Sequence, residues 1–143
     1  MKTGCVLLAE DDENDVLFLQ RAFRKAEVAN PLQVAPHGQA AIDYLSGVGP
    51  YADRALYPLP CLAMLDLKMP RKNGLEVLEW IRSQPHLRPL PVIIFSSSVQ
   101  PLEIEAAYRL GANAFLTKPS GAPERVELAR RIKGFWLATN EGV

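Results

Sequence analysis

The sequence predicts an α/β domain: a doubly wound, five-stranded parallel sheet with helices on both faces. Three observations predict it. Strand-like and helix-like segments alternate five times along 143 residues. The strand-like runs, such as Cys5-Val6-Leu7-Leu8-Ala9, are apolar at consecutive positions, as strands covered on both faces are. The length is enough for one hydrophobic core and short for two, so residues 1–143 read as a single domain.

The first strand runs from Cys5 to Ala9 and stops at Glu10-Asp11-Asp12-Glu13. A helix follows, with Val16, Leu17, Leu19, Phe23 and Val28 near helical spacing. Its acidic start suits the unpaired N–H groups and positive dipole end of a helix. Asn30-Pro31 breaks it. Leu32 to Ala35 is a short second strand, and His37-Gly38 a turn. Ala40, Ala41, Ile42 and Leu45 mark a short second helix. The loop from Gly47 to Pro60 is long for a compact α/β unit. Cys61 to Leu65 is the third strand and ends at Asp66. After Met69-Pro70 and Asn73-Gly74, a third helix carries Leu75, Val77, Leu78 and Ile81 and ends before Pro85. Pro91 to Phe95 is the fourth strand, closed by three serines. Pro101 opens a helix with Ile104, Ala107, Tyr108 and Leu110, and Gly111 ends it. Ala114 to Leu116 is the fifth strand, leading into Thr117-Lys118-Pro119. The last helix starts near Pro123, with Val126, Ala129, Ile132, Trp136 and Leu137 on its apolar side. No repeat, low-complexity tract or linker interrupts the order.

Composition excludes several classes. Lys plus Arg equals Asp plus Glu at 16 each, and 48% of residues are hydrophobic. The chain has neither a global positive field nor the acidic excess of a disordered protein. Arg125, Arg130, Arg131 and Lys133 gather in the last helix, but Glu124 and Glu127 sit among them. That reads as a solvated face, and no direct nucleic-acid binding is expected. Charges and prolines interrupt the most apolar stretch, Leu45 to Leu67, so no membrane span is expected. Met1-Lys2-Thr3 runs straight into a strand without a secretion signal. Cys5 and Cys61, both in apolar runs, read as buried thiols in a reducing compartment. The expected address is the cytoplasm.

In an open parallel sheet, ligands bind beyond the carboxyl ends of the strands. Glu10 and Asp11 follow the first strand, Asp66 the third, Ser96 the fourth and Lys118 the fifth. Close carboxylates repel one another unless a cation shares them. Mg²⁺ suits them, since it takes oxygen ligands in octahedral geometry. A carboxylate can also be a nucleophile, forming an aspartyl-phosphate. A serine hydroxyl and a lysine would then hold and neutralise phosphoryl oxygens. Singly, each residue has an ordinary reading as a helix cap, turn lysine or loop serine. Jointly they point to Mg²⁺-dependent phosphoryl chemistry.

These residues lie in four motifs: Val6-Leu7-Leu8-Ala9-Glu10-Asp11-Asp12; Met64-Leu65-Asp66-Leu67-Lys68-Met69-Pro70 with Asn73-Gly74; Pro91-Val92-Ile93-Ile94-Phe95-Ser96-Ser97; and Gly111-Ala112-Asn113-Ala114-Phe115-Leu116-Thr117-Lys118-Pro119. In order and at these intervals they closely resemble the receiver domain of two-component response regulators, over a core of about residues 6–137. The resemblance implies a flavodoxin-like sheet, strand order 2-1-3-4-5. It implies Asp66 as phosphate acceptor, Lys118 as phosphate-contacting lysine, and Mg²⁺ held by Glu10, Asp11, Asp66 and the Lys68 carbonyl. It implies Ser96 and Phe115 as the switch pair and a cis bond before Pro119. Phe115 stands where many relatives have Tyr, Asn73 where Asp is usual, and Cys61 where Asp is common.

The activity implied is a response regulator taking a phosphoryl group from a sensor histidine kinase onto Asp66 and switching a protein-interaction surface. Catalysis would be confined to its own phosphorylation and dephosphorylation. No output domain follows the last helix, so the expected output is an interaction. Tyr51-Ala52-Asp53-Arg54, Pro58-Leu59-Pro60 and Gly134-Phe135-Trp136-Leu137 resemble the small single-domain regulators paired with bacterial and cyanobacterial phytochromes. That resemblance implies a phytochrome as candidate kinase, and a homodimer. Trp136 fits the Ile132 and Ala129 stripe as core, which leaves Phe135, with Tyr108, as candidate subunit contacts. The alternative is a phosphorylation-independent docking partner of a histidine kinase, against which the intact acidic set argues. A flavin or nucleotide site would want a glycine-rich first loop, where this chain has four acids. A phosphatase acting on outside substrates would need an acid–base group near Asp66, and His37 and His86 are not expected there.

Overall fold

A computed structural model describes residues 4–139. Its strands are β1 (Val6–Ala9), β2 (Leu32–Ala35), β3 (Leu62–Leu65), β4 (Val92–Ser96) and β5 (Ala114–Thr117). They form one parallel sheet in the order β2-β1-β3-β4-β5, as expected. The helices are α1 (Glu13–Lys25), α2 (Gly38–Ser46), α3 (Gly74–Ser83), α4 (Pro101–Arg109) and α5 (Ala122–Ile132).

The unbroken apolar runs are explained by two cores. Leu7, Ala9, Ala63, Leu65, Val92 and Ile94 pack into the core shared with α2, α3 and Ala107 of α4. Their neighbours Val6, Leu8, Leu62, Met64, Ile93 and Phe95 pack into the core under α1 and α5. Alternate side chains of a strand point to opposite faces, so burial on both faces leaves no polar position. The two helices next to the acidic edge start on side-chain caps. Asp12 accepts from the Asn14 and Asp15 amides. Asn73 accepts from the Glu76 amide while Glu76 accepts from the Asn73 amide, a capping box.

Two segments differ from a plain reading of their sequence. The loop after α2 contains a short 3₁₀ turn, Gly49–Tyr51, and is tied down. Arg54 donates to the carbonyls of Tyr44 (2.7 Å) and Leu45 (2.9 Å) in the last turn of α2 and of Tyr57 (3.0 Å) in the loop. The rings of Tyr44, Tyr51 and Tyr57 meet pairwise at 5.2–6.0 Å. The second is Lys133–Thr139, which winds as a π-helix after α5. Its wider turn sets Leu137, not Trp136, inward with Ile132: Leu137 and Ile132 are buried, and Trp136 is half-buried against the same core. Trp136 thus packs against the core as expected, but from its half-buried margin. Phe135 touches the Trp136 ring edge-on at 5.0 Å and remains exposed. No helix among the described residues is long and apolar enough to cross a membrane.

Candidate functional site

The register of the sheet assembles the site. Ala9 pairs with Leu65 and Ser96 with Thr117. One residue further on, Glu10, Asp66 and Lys118 emerge at one edge. The backbone ladder continues past the strands to hold them: the Glu10 amide donates to Ala35, the Asp66 amide to Ala9, both at 3.0 Å, and the Lys118 amide to Ser96 at 2.8 Å. Glu10, Asp11, Asp66, Lys68, Ser96 and Lys118 all line one open cleft of about 460 Å³.

Glu10, Ser96 and Asp66 are buried and Asp11 is exposed. Glu10, Asp11 and Asp66 can each offer a carboxylate oxygen within 4.8 Å of the others. The Lys118 ammonium lies 2.6 Å from Glu10, 2.9 Å from Asp15 and 3.3 Å from Asp66. Asp15 was not among the residues the sequence singled out. It stands on the first turn of α1, where an acid needs no explanation beyond the helix dipole.

Burial pushes the Glu10 carboxyl up, the Lys118 hydrogen bond pulls it down and neighbouring Asp66 pushes it up again, to about 7 in all. Burial alone would lower the Lys118 ammonium, but the carboxylates of Glu10, Asp15 and Asp66 outweigh it and hold the lysine charged. The two directions agree, since one lysine faces three carboxylates. One cation too few among close oxygen donors fits a hard dication such as Mg²⁺.

A pH dependence follows. Glu10 titrates near 4.5 when unfolded and near 7 in the metal-free fold. A raised carboxyl pKa carries no penalty below the unfolded value. The penalty grows as pH rises to about 7 and is complete above it, on the order of 3 kcal/mol. Metal-free stability should therefore lose that contribution between about pH 4.5 and 7. Glu10→Gln should flatten the fall, and Mg²⁺ should bind more tightly as pH rises through the same window. Urea melts of both proteins at pH 5 and 8, with and without Mg²⁺, test it; parallel pH profiles would refute it.

Of the switch pair, Ser96 lines the cleft with Asp66. The Ser96 hydroxyl accepts from the Ser98 amide at 3.0 Å, and the Ser98 hydroxyl donates to Glu103 of α4 at 2.9 Å. Phe115 is half-buried against the α2–α3–α4 core, outside the cleft. Its amide donates to the Tyr108 hydroxyl at 3.1 Å, so Tyr108, half-exposed on α4, also ties that helix to β5. Phe135 is 53% exposed on the tail. The cis bond before Pro119 is not found: no cis peptide bond occurs among the described residues, and the Lys118 amide's own ladder bond helps to fix its direction. His37 caps α2, its Nδ1 accepting from the Ala40 amide at 3.0 Å. His86 lies in a short 3₁₀ turn, and neither histidine lines the cleft.

Comparison with known proteins agrees with this geometry. The family described as "Response regulator receiver domain" matches residues 6–130. The response regulator Rcp1 of Synechocystis sp. is 32% identical over 134 residues, 94% of this chain and 89% of that protein. The probable methanogenesis regulatory protein FilR2 of Methanothrix harundinacea is 30% identical over 138 residues, 94% of this chain and 84% of that one. Among solved structures, response regulator RPA3017 in red light signaling of R. palustris superposes with TM-score 0.92 at 35% identity, covering 99% and 98% of the two chains. The phosphorylated cyanobacterial phytochrome response regulator RcpA gives 0.89 at 31%, covering 99% of each.

Proposed function

This chain belongs to the response regulator receiver domain family, and we propose that Asp66 is its phosphoacceptor, charged by a sensor histidine kinase. The observation that carries the proposal is Asp66 beside Glu10 and Asp11, with Lys118 3.3 Å from its carboxylate. The acidic cluster is typical of the Mg²⁺-coordinating site of receiver domains. Glu10, Asp11, Asp66 and the Lys68 carbonyl would hold the ion. When bound, Mg²⁺ offsets charge on the carboxylates and on phosphoryl oxygens.

An Asp66 carboxylate oxygen attacks the phosphorus of a kinase phosphohistidine. The P–N bond breaks, and its electron pair leaves with the imidazole. Lys118 turns a hydrogen toward a phosphoryl oxygen, and the Ser96 hydroxyl, which accepts from the Ser98 amide, donates its hydrogen to another. Positioning supplies most of the rate. Attack by water later releases phosphate and restores Asp66. Movement at Ser96 frees space for Phe115 to rotate, and Tyr108 passes that change to α4, a population shift between two arrangements. The likeness to phytochrome response regulators supports a phytochrome-type kinase as partner. Exposed Tyr108 and Phe135 support a homodimer.

Intact mass after incubation with acetyl phosphate tests the reading. Wild type should gain one phosphoryl group only with Mg²⁺, and Asp66→Asn none. Sedimentation of the same samples reads self-association. A folded wild-type protein without the adduct, where a control receiver is labelled, would instead favour docking to a kinase without phosphorylation.

A further inference from the structure

An ammonium has three hydrogens to donate, and Lys118 has three carboxylates around it. It hydrogen-bonds Glu10 at 2.6 Å and Asp15 at 2.9 Å, while the Asp66 oxygen stands farther away, at 3.3 Å. The resting lysine is thus held by the two acids that do not accept the phosphoryl group. The side chain of Glu10 is 1% exposed, that of Asp66 11% and that of Asp15 35%. Releasing a buried carboxylate leaves an uncompensated charge in a poor solvent. Releasing Asp15 returns a carboxylate to water on the first turn of α1, where the helix dipole still favours it. Asp15 is therefore the partner that Lys118 gives up most readily when a more strongly charged acceptor appears on Asp66.

The surroundings limit where the lysine can rest. On the α1–α5 side, Lys118 borders a small recess with Phe18, Leu19, Phe95, Arg125 and Leu128. Its ammonium sits 5.8 Å from the centre of the Phe95 ring. Arg125 lies over Phe18 and donates to the Ser120 carbonyl. Among the side chains of that recess, Asp15 alone can accept a hydrogen bond from Lys118.

We propose that Asp15 is a positioning residue: it parks Lys118 away from Asp66 in the resting state and so sets how tightly the site grips a phosphoryl group. This rests on Asp66 being the acceptor. Asp15 competes with the phosphoryl oxygen for one Lys118 hydrogen, and removing its charge favours the phosphorylated arrangement.

The test is the affinity for beryllofluoride, a phosphoryl mimic, at saturating Mg²⁺. Asp15→Asn keeps the shape and an oxygen acceptor but removes the charge. It should bind beryllofluoride about tenfold more tightly than wild type, the difference between a charged and a neutral acceptor. Glu13→Gln makes the same charge change on the same exposed turn, outside the Lys118 ion pairs, and should stay within about twofold of wild type. Asp15→Glu should return toward wild type. The Lys118 ammonium resonance in metal-free protein should shift in Asp15→Asn and not in Glu13→Gln. Asp15→Asn binding no more tightly than Glu13→Gln, or more weakly than wild type, overturns the parking role and leaves the acceptor reading standing. Wild type that takes up no beryllofluoride overturns both.

Discussion

Gly74→Ala should remove most of the phosphoryl chemistry and a large part of the stability together. A β-carbon at position 74 would stand 2.3 Å from the Asp66 carbonyl oxygen and 3.2 Å from Cα of Leu67. Both are backbone atoms, so no rotamer change relieves the overlap. The Gly74 amide also donates to the Leu67 carbonyl at 3.0 Å, which fixes the start of α3 under the acceptor. Either α3 moves out or the end of β3 moves over. Overpacking of this kind costs about 1–3 kcal/mol. A displacement near 1 Å at a positioned reacting group can cost about a hundredfold in rate. Urea denaturation and the rate of phosphorylation by acetyl phosphate should fall together. A variant as stable and as active as wild type would show that the turn yields without consequence.

Arg82→Met should lower stability by about 1–3 kcal/mol while leaving the chemistry of the folded protein unchanged. The Arg82 guanidinium is half-buried and, among the described residues, has no carboxylate partner. It donates instead to the carbonyls of Gly111 (3.0 and 2.8 Å), Arg88 (2.9 Å) and Leu90 (2.8 Å), and to the Asn113 side chain at 2.9 Å. Burial lowers its pKa, as expected of a cation satisfied by dipoles alone. That one group joins α3, the approach to β4 and the approach to β5. Methionine keeps the stem but takes the donor from three carbonyls, while the Asn113 side chain keeps the Val92 amide. Arg82→Lys should recover only a small part, because a point-like ammonium cannot fork among them. A midpoint in urea within experimental error of wild type would refute this.

The sequence exposed the residues whose chemistry interrupts a hydrophobic pattern. Glu10, Asp66, Ser96 and Lys118 each end an apolar run, and parallel strands bring such ends together. Asp15 lay hidden because an acid on a first helical turn already has an ordinary role. Arg82 lay hidden because its partners are carbonyls, and every residue carries one. Arg54, Tyr51 and Tyr57 are visible in the sequence of the long loop, but their convergence on Tyr44 of α2 depends on three-dimensional closure that no periodicity reports. In the tail, a change of helical winding moved Leu137 into the place a regular helix gives Trp136. Helical spacing predicts a face only while the winding is constant.

The contact between Lys118 and Glu10 joins positions 108 residues apart. During synthesis, β1 and β3 leave the ribosome long before residue 118 does. Over that interval the nascent chain carries Glu10, Asp11 and Asp66 without the lysine that balances them. The acceptor is thus present early, while the complete site comes only with the fifth strand.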